Sequence, residues 1–185
     1  MIAASSGGST IETRRFNEEV LFTAQDLTIV SAQEIAWLKE QAAKTRRGRI
    51  RLCAHRETDA PVHEMLIVHP GGAYVRPHKH LNKEESLHLI EGFVTLVVFN
   101  DDRSVRQVVP MGAYASGRSF YYRLAANRYH TLLIESDVVV FHEAIRGPFS
   151  PADMLIAPWA PDEDDVPAVK QFLEQIREEA HARVL

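Results

Sequence analysis

His78 and His80 are one residue apart, a spacing that puts both imidazoles on one side of an extended chain because strand side chains alternate faces. Glu85 follows a few residues on, and His130 answers from a distant segment. Three imidazoles and one carboxylate form an N3O donor set for one divalent first-row metal ion. Imidazole suits zinc, copper, iron and nickel, and the carboxylate extends the range to manganese. Iron, manganese, nickel and zinc are the ions left open. Four protein ligands leave room on the ion for water or substrate, so it can act as a Lewis acid or generate hydroxide.

The spacing needs its neighbours to carry weight. With nine histidines in 185 residues, roughly 0.4 His-x-His pairs arise by chance. Gly72, Glu85 and Gly92 at their fixed offsets reduce that expectation to about one in ten thousand. Taken alone, His78 and His80 fit a solvated strand face equally well. Glu84 competes with Glu85 for the carboxylate. Glu85 keeps the spacing to Gly92 and shares its face with Leu87 and Leu89, which leaves Glu84 as a solvated loop residue. His88 has the opposite parity to Glu85 and belongs on the outer face.

On a regular strand Tyr74, Arg76, His78 and His80 share one face, so a phenol and a guanidinium accompany the histidines. These two are the candidate catalytic residues, Tyr74 to transfer a proton and Arg76 to hold a carboxylate or phosphate bidentately. Weaker candidates are His55, near a pocket mouth, and Glu143, which shares parity with Val139 and Phe141 and reads more simply as solvent-facing. His63, His69 and His181 show no pattern.

The elements that must position these groups are short and mostly extended. Residues 1–28 read as a flexible leader, without the charged start and apolar core of a secretory signal. Residues 29–48 read as an N-terminal helix. Ser31 and Glu34 form a capping box, Ile29 is available as a staple, Ile35, Leu38 and Ala42 make one apolar stripe, and Gly48 supplies a stop. Residues 49–150 change to β-branched and aromatic runs at 62–68, 87–90, 93–99, 105–109, 129–134 and 138–145. Gly, Pro, Asn and Asp clusters separate them, the pattern of an antiparallel sandwich or barrel. Residues 151–185 are a Pro-rich connection carrying Trp159, then a helix whose apolar face is Val169, Phe172, Leu173 and Ile176.

A chain of 185 residues is long enough for one domain with a sizeable core. A net charge of −4 leaves no basic footprint for nucleic acid. The dense positive run from Lys44 to Arg51 is either a solvated helix end or a source of cations for an anionic ligand. A single cysteine, Cys53, excludes an internal disulfide and fits a reducing, cytoplasmic compartment. No run has the apolar length of a membrane-spanning helix.

The spacing of Gly72, His78, His80, Glu85 and Gly92 resembles the first signature of the cupin barrel. Along residues 30 to 165 the chain resembles the WbuC family of small bacterial cupin-fold metalloproteins. The matching landmarks are the run from Arg46 to Leu52 ending in His55, Tyr74 to His80, Glu85 to Gly92, His130 with Thr131, Gly147-Pro148-Phe149, and Ala157 to Pro161 around Trp159. The resemblance implies an all-β cupin (double-stranded β-helix, jelly-roll) barrel flanked by two helices. It also implies a metal on His78, His80, Glu85 and His130. The second cupin signature, Pro-x-Gly-x-x-His, is altered here, with Ala125 and Asn127 replacing proline and glycine. Asn tolerates the left-handed conformation that the glycine would supply.

The family is associated with bacterial surface-polysaccharide gene clusters. The family's reaction is undefined and does not deliver a substrate, so it is the open, chemistry-capable site that points to a metal-dependent enzyme acting on a small polar metabolite, such as a sugar or sugar-nucleotide derivative. Isomerisation, epimerisation, hydrolysis and dioxygen chemistry are all open. A non-catalytic metal-containing binding or sensing cupin is the alternative. Cupin barrels commonly associate through strand edges, so a homodimer is expected.

Overall fold

The structure, a computed structural model, describes residues 11–184. Its first elements correct the expectation of a leader over 1–28, of which residues 1–10 lie outside the described residues. Thr13–Asn17 (β1) and Val20–Thr23 (β2) form an antiparallel hairpin. β2 then pairs in parallel with Ile50–Cys53 (β3), burying Leu21 and Phe22. Four apolar or polar residues amid charges carry no periodic signal of their own. The strand exists because β3 offers it a partner.

Helix α1 (Ala32–Ala42) lies between them and starts at the expected capping box, with Gln33 N donating to Ser31 Oγ and Ser31 N to Glu34. Ile29 is 65% exposed and is not the staple. Val30, the residue directly before the cap, packs into the cluster that holds Ile35. The helix ends at Ala42, short of Gly48, which instead takes a positive φ in the turn leading into β3.

The remainder is one long antiparallel ribbon folded on itself. Val62–Pro70 (β4), His78–His80 (β5), Glu85–Glu91 (β6) and Phe93–Phe99 (β7) run outward. Val105–Gly112 (β8), Tyr121–Leu124 (β9), Tyr129–Ile134 (β10) and Val138–Arg146 (β11) return. Each outgoing strand pairs with a returning one, β4 with β11, β5 with β10, β6 with β9 and β7 with β8. Successive pairs fall in alternate sheets, which is the winding of a jelly roll. With Met154–Ile156 (β12), the first sheet has the order β1-β2-β3-β4-β11-β6-β9 and the second β12-β5-β10-β7-β8. The fold is a cupin barrel with flanking helices.

Side-chain alternation divides the apolar residues into three layers. Leu87, Leu89, Val94, Leu96, Leu132 and Phe141 fill the space between the sheets. Ile50, Leu52, Leu66 and Val140 face outward from the first sheet and are covered by Leu38 and Ala42 of α1. Val97, Phe99 and Leu133 face outward from the second sheet, beneath Phe172, Leu173 and Ile176 of α2 (Val166–Val184). Trp159 stands edge-on to Phe99 with ring centroids 4.9 Å apart, fixing the connection to that wall. With both outer faces covered, the polar residues of the interior line a cavity between the sheets. Among the described residues no helix is long and apolar enough to cross a membrane.

Candidate metal centre

β5 and β10 lie side by side with His78 opposite His130 in register, so both imidazoles leave the second sheet on its inner face. His80, two residues on, follows them. Glu85 opens β6 in the first sheet and reaches across the gap. The donor atoms of the four residues lie within 4.8 Å of one another. Glu85 Oε2 is 2.9 Å from His80 Nε2, and its Oε1 is 3.0 Å from His130 Nε2. His78 Nδ1 lies 2.8 Å from the Arg76 carbonyl oxygen and His130 Nδ1 3.1 Å from that of Arg128. A carbonyl only accepts, so each Nδ1 donates and Nε2 is the nitrogen left for a metal. The donor set, its spacing and its ring orientation fit a divalent ion.

Electrostatics prepare the group. Burial pushes the His78 imidazolium down to about 3, aided by neighbouring His130, so His78 is neutral. Burial opposes the charge on Glu85, but the His130 and His80 imidazoles outweigh it and hold the carboxyl well below its usual range. Burial likewise opposes the His130 imidazolium, and the Glu85 carboxylate overcomes it and raises His130. The turn before His130 uses Asn127 at φ +63°, so asparagine does adopt the left-handed conformation in place of glycine.

Tyr122 was not evident from the sequence as a site residue. Its hydroxyl donates to Glu85 Oε1 at 2.7 Å, and burial with the adjacent Glu85 charge raises the phenol well above its usual value. The available signal was parity, since Tyr122 and Leu124 alternate inward on β9 opposite Leu87 and Glu85. Lys83 was missed as well. It is buried and ties the loop before Glu85 to Asp153 Oδ2 at 2.6 Å and to the Pro148 carbonyl at 2.5 Å. Glu84 is exposed and 3.4 Å from Arg123, and His88 is exposed on the outer face, as their parity implies.

The shared face expected for Tyr74 and the histidines does not form. Tyr74 bridges to Leu133 while His78 pairs with His130, so four steps on one strand oppose three on the other. The extra residue, in a segment containing Pro77, reverses the parity as a bulge does. Tyr74 packs outward against Phe172, and its hydroxyl donates to the Pro161 carbonyl at 3.2 Å. Burial pushes that phenol up to about 12. Arg76 pairs with Asp162 at 3.0 Å and reaches the Ala160 carbonyl at 3.4 Å. Both residues line the rim of the cavity and fasten the C-terminal connection to it.

The cavity has a volume of about 280 Å³, near the lower end of small-molecule sites. The four-residue cluster lies at one end, and Met65, Ile67, Leu132 and Phe141 line its walls. Glu143 faces into it, contrary to the solvent-facing reading, because it occupies the inner row Cys53–Met65–Glu143–Leu87–Tyr122. Burial, then repulsion from Glu85, raises the Glu143 carboxyl above its usual value. Arg51, His63 and His69 line the same space. His55 stacks on His63 at 4.0 Å, behind the lining.

A family described as a domain of unknown function (DUF6016) matches residues 30–111. No curated protein matches the chain. Among solved structures, Shewanella oneidensis protein SO0799 is 11% identical over 60% of this chain and 74% of that one, with a TM-score of 0.49. Bacillus subtilis oxalate decarboxylase is 12% identical over 58% of this chain and 27% of its own, with a TM-score of 0.46. Procruciferin, the 11S globulin of Brassica napus, is 12% identical over 48% and 21%, with a TM-score of 0.41. The chain thus spans about a quarter of the oxalate decarboxylase that it matches.

Proposed function

We propose that this chain is a metal-dependent cupin enzyme acting on a small polar metabolite, and that its resemblance to the WbuC family reflects membership and a link to surface-polysaccharide biosynthesis. The observation that carries the reading is the convergence of His78, His80, Glu85 and His130, donor atoms within 4.8 Å, at one end of a cavity that also holds Glu143. A volume of about 280 Å³ favours a sugar-sized substrate over a complete sugar nucleotide. A bound divalent ion would supply Lewis acidity toward a substrate oxygen.

The chain's own residues supply the rest. His78, His80, Glu85 and His130 would hold the ion, and Tyr122 fixes Glu85 by its hydrogen bond. Glu143 replaces Tyr74 as the acid/base residue. Its raised carboxyl keeps a proton to a higher pH than an ordinary glutamate, which suits proton transfer. Isomerisation or epimerisation is the reaction class this arrangement serves most directly. Such a group favours an enzyme over a purely binding or sensing cupin. Phe16, exposed on the edge strand β1, supports a homodimer through the first sheet, and the free Cys53 supports a cytoplasmic location.

Elemental analysis of the protein purified without a metal-affinity tag tests the reading, beside the double variant His78→Ala/His80→Ala. About one equivalent of iron, manganese, nickel or zinc is expected in the first and none in the second. No stoichiometric metal in the unmodified protein after reconstitution overturns it.

A further inference from the structure

The first sheet carries, three strands from Glu85, a cation in the cavity wall without an ion-pair partner. Arg51 is opposite Ile67 in register, and Ile67 is opposite Phe141, so Arg51 belongs to the inward row of the first sheet. It lines the cavity, and its charge is felt at Glu143, His63 and His69. The other cations of the lining that start from inward positions or from the rim are neutralised. Arg49 pairs with Glu19 at 3.0 Å, Lys83 with Asp153 at 2.6 Å and Arg76 with Asp162 at 3.0 Å. Arg146 leaves its strand from the outward row, beside exposed Val62. The Arg51 guanidinium makes no hydrogen bond or ion pair among the described residues, although those of its neighbours Arg47 and Arg49 share Glu19.

A second observation lies beside it. His69, two residues along β4 from Ile67, also lines the cavity, and its Nδ1 is buried with no hydrogen-bond partner among the described residues. With Nδ1 sealed, Nε2 is the nitrogen that can meet a ligand. Burial keeps the ring neutral, pushing it down to about 3, so it can donate a hydrogen bond without adding charge. An exposed guanidinium lining the cavity, with a neutral imidazole donor beside it, fits an oxyanion.

We propose that the substrate carries a carboxylate or phosphate group that Arg51 and His69 hold at the end of the cavity remote from the metal cluster. This rests on the reading of the cavity as a substrate site. It gives Arg51 the anion-binding role that the sequence suggested for Arg76. The registers also set a length. Arg51 and Glu85 are three strands apart and four residues offset, roughly 20 Å between backbones on a flat sheet. Side chains on one face of a sheet leave it nearly parallel, so the charged groups stay on the order of 10 Å or more apart. A molecule that reaches both ends is an acid-bearing sugar or polyol rather than a two-carbon acid.

Calorimetric titration of zinc-loaded protein with inorganic phosphate, D-glucuronate and neutral D-glucose tests this, repeated on metal-free protein and on Arg51→Gln and Arg51→Lys. One of the two anions is expected to bind at least tenfold more weakly to Arg51→Gln, with Arg51→Lys intermediate and metal content unchanged. Whichever anion shows the larger loss identifies the group. Phosphate binding that persists without metal and disappears in Arg51→Gln upholds the subsite even if the metalloenzyme reading fails. Anion binding lost with the metal and untouched by Arg51→Gln places the anion on the ion and overturns the subsite. So does the absence of binding by either anion.

Discussion

Glu85 and His130 face one another across the interior at 3.0 Å, although their strands belong to different sheets. The winding of the ribbon makes this contact. Because the β5–β10 and β6–β9 pairs fall in alternate sheets, residues close in sequence on β5 and β6 end on opposing walls. The cluster therefore joins the two halves of the sandwich. Its integrity depends on groups that hold Glu85 in place as much as on the four donors themselves.

Tyr122→Phe tests that dependence. The phenol donates to Glu85 Oε1 at 2.7 Å, and loss of such an outer partner typically weakens metal affinity about 10- to 100-fold. The expected result is a metal dissociation constant raised within that range, measured by competition with a chromophoric chelator. The fold should be retained, because phenylalanine keeps the ring that fills the wall. Unchanged affinity would show that Glu85 is positioned by its strand alone.

Much of this site was legible in the sequence, for identifiable reasons. His78 and His80 are two apart on a strand, and Glu85 is tied to them by a short loop, so spacing alone brought them together. His130 needed the cupin resemblance, since nothing local links it to His78. Tyr74 failed because alternation predicts faces only across unbroken pairing, and the extra residue before Pro77 is not marked by composition. Arg51 and His69 were obscured for another reason. Each occupies an inward position in a strand whose neighbours are apolar, and their vacancy of partners is a property of the assembled cavity. The β1–β2 hairpin was illegible because its stability comes from β3, some thirty residues away in sequence.

Asn127 gives a backbone test of the altered second signature. At φ +63° it occupies a region that costs an ordinary L-residue about 1–2 kcal/mol, and its Oδ1 accepts from Asn82 N at 3.3 Å. Asn127→Gly should be near neutral, whereas Asn127→Val should lose about 2 kcal/mol or more, several degrees of melting temperature in a chain of this size. Metal affinity should fall with it, because the turn delivers His130. Equal stability of the two variants would contradict the strain argument.

His69 sets an expectation for acid stability. Burial, then the Arg49 and Arg51 charges, pushes its imidazolium down to about 3, from 6.5 in the unfolded chain. Between those values the unfolded chain holds a proton that the folded chain does not, so stability falls as pH falls through this window. At pH 5 the loss relative to pH 7 is on the order of 2 kcal/mol from this residue. Denaturant unfolding of His69→Phe should show a shallower decline between pH 7 and pH 5 than the unmodified protein. A parallel decline would assign the acid sensitivity to other groups.

Glu143 carries the opposite sign and the most direct link to function. Its carboxyl is raised above 4.5 by burial and then by the Glu85 charge, so in the folded protein it resists ionisation. Above its unfolded value the folded state therefore loses stability as pH rises, until both forms are ionised. Glu143→Gln keeps the shape and removes the charge. Its melting temperature should exceed that of the unmodified protein at pH 7, with the difference vanishing below pH 4, where the Glu143 carboxyl is protonated in the folded and the unfolded chain alike. Metal content should be unchanged, because Glu143 lies outside the four-donor group. Turnover, once a substrate is in hand, should fall by at least 100-fold, the scale of general acid–base catalysis. A variant that is more stable and metal-replete yet inactive is the pattern of a residue kept for chemistry at a cost in stability. A variant with full activity would return the proton-transfer role to another residue of the cavity.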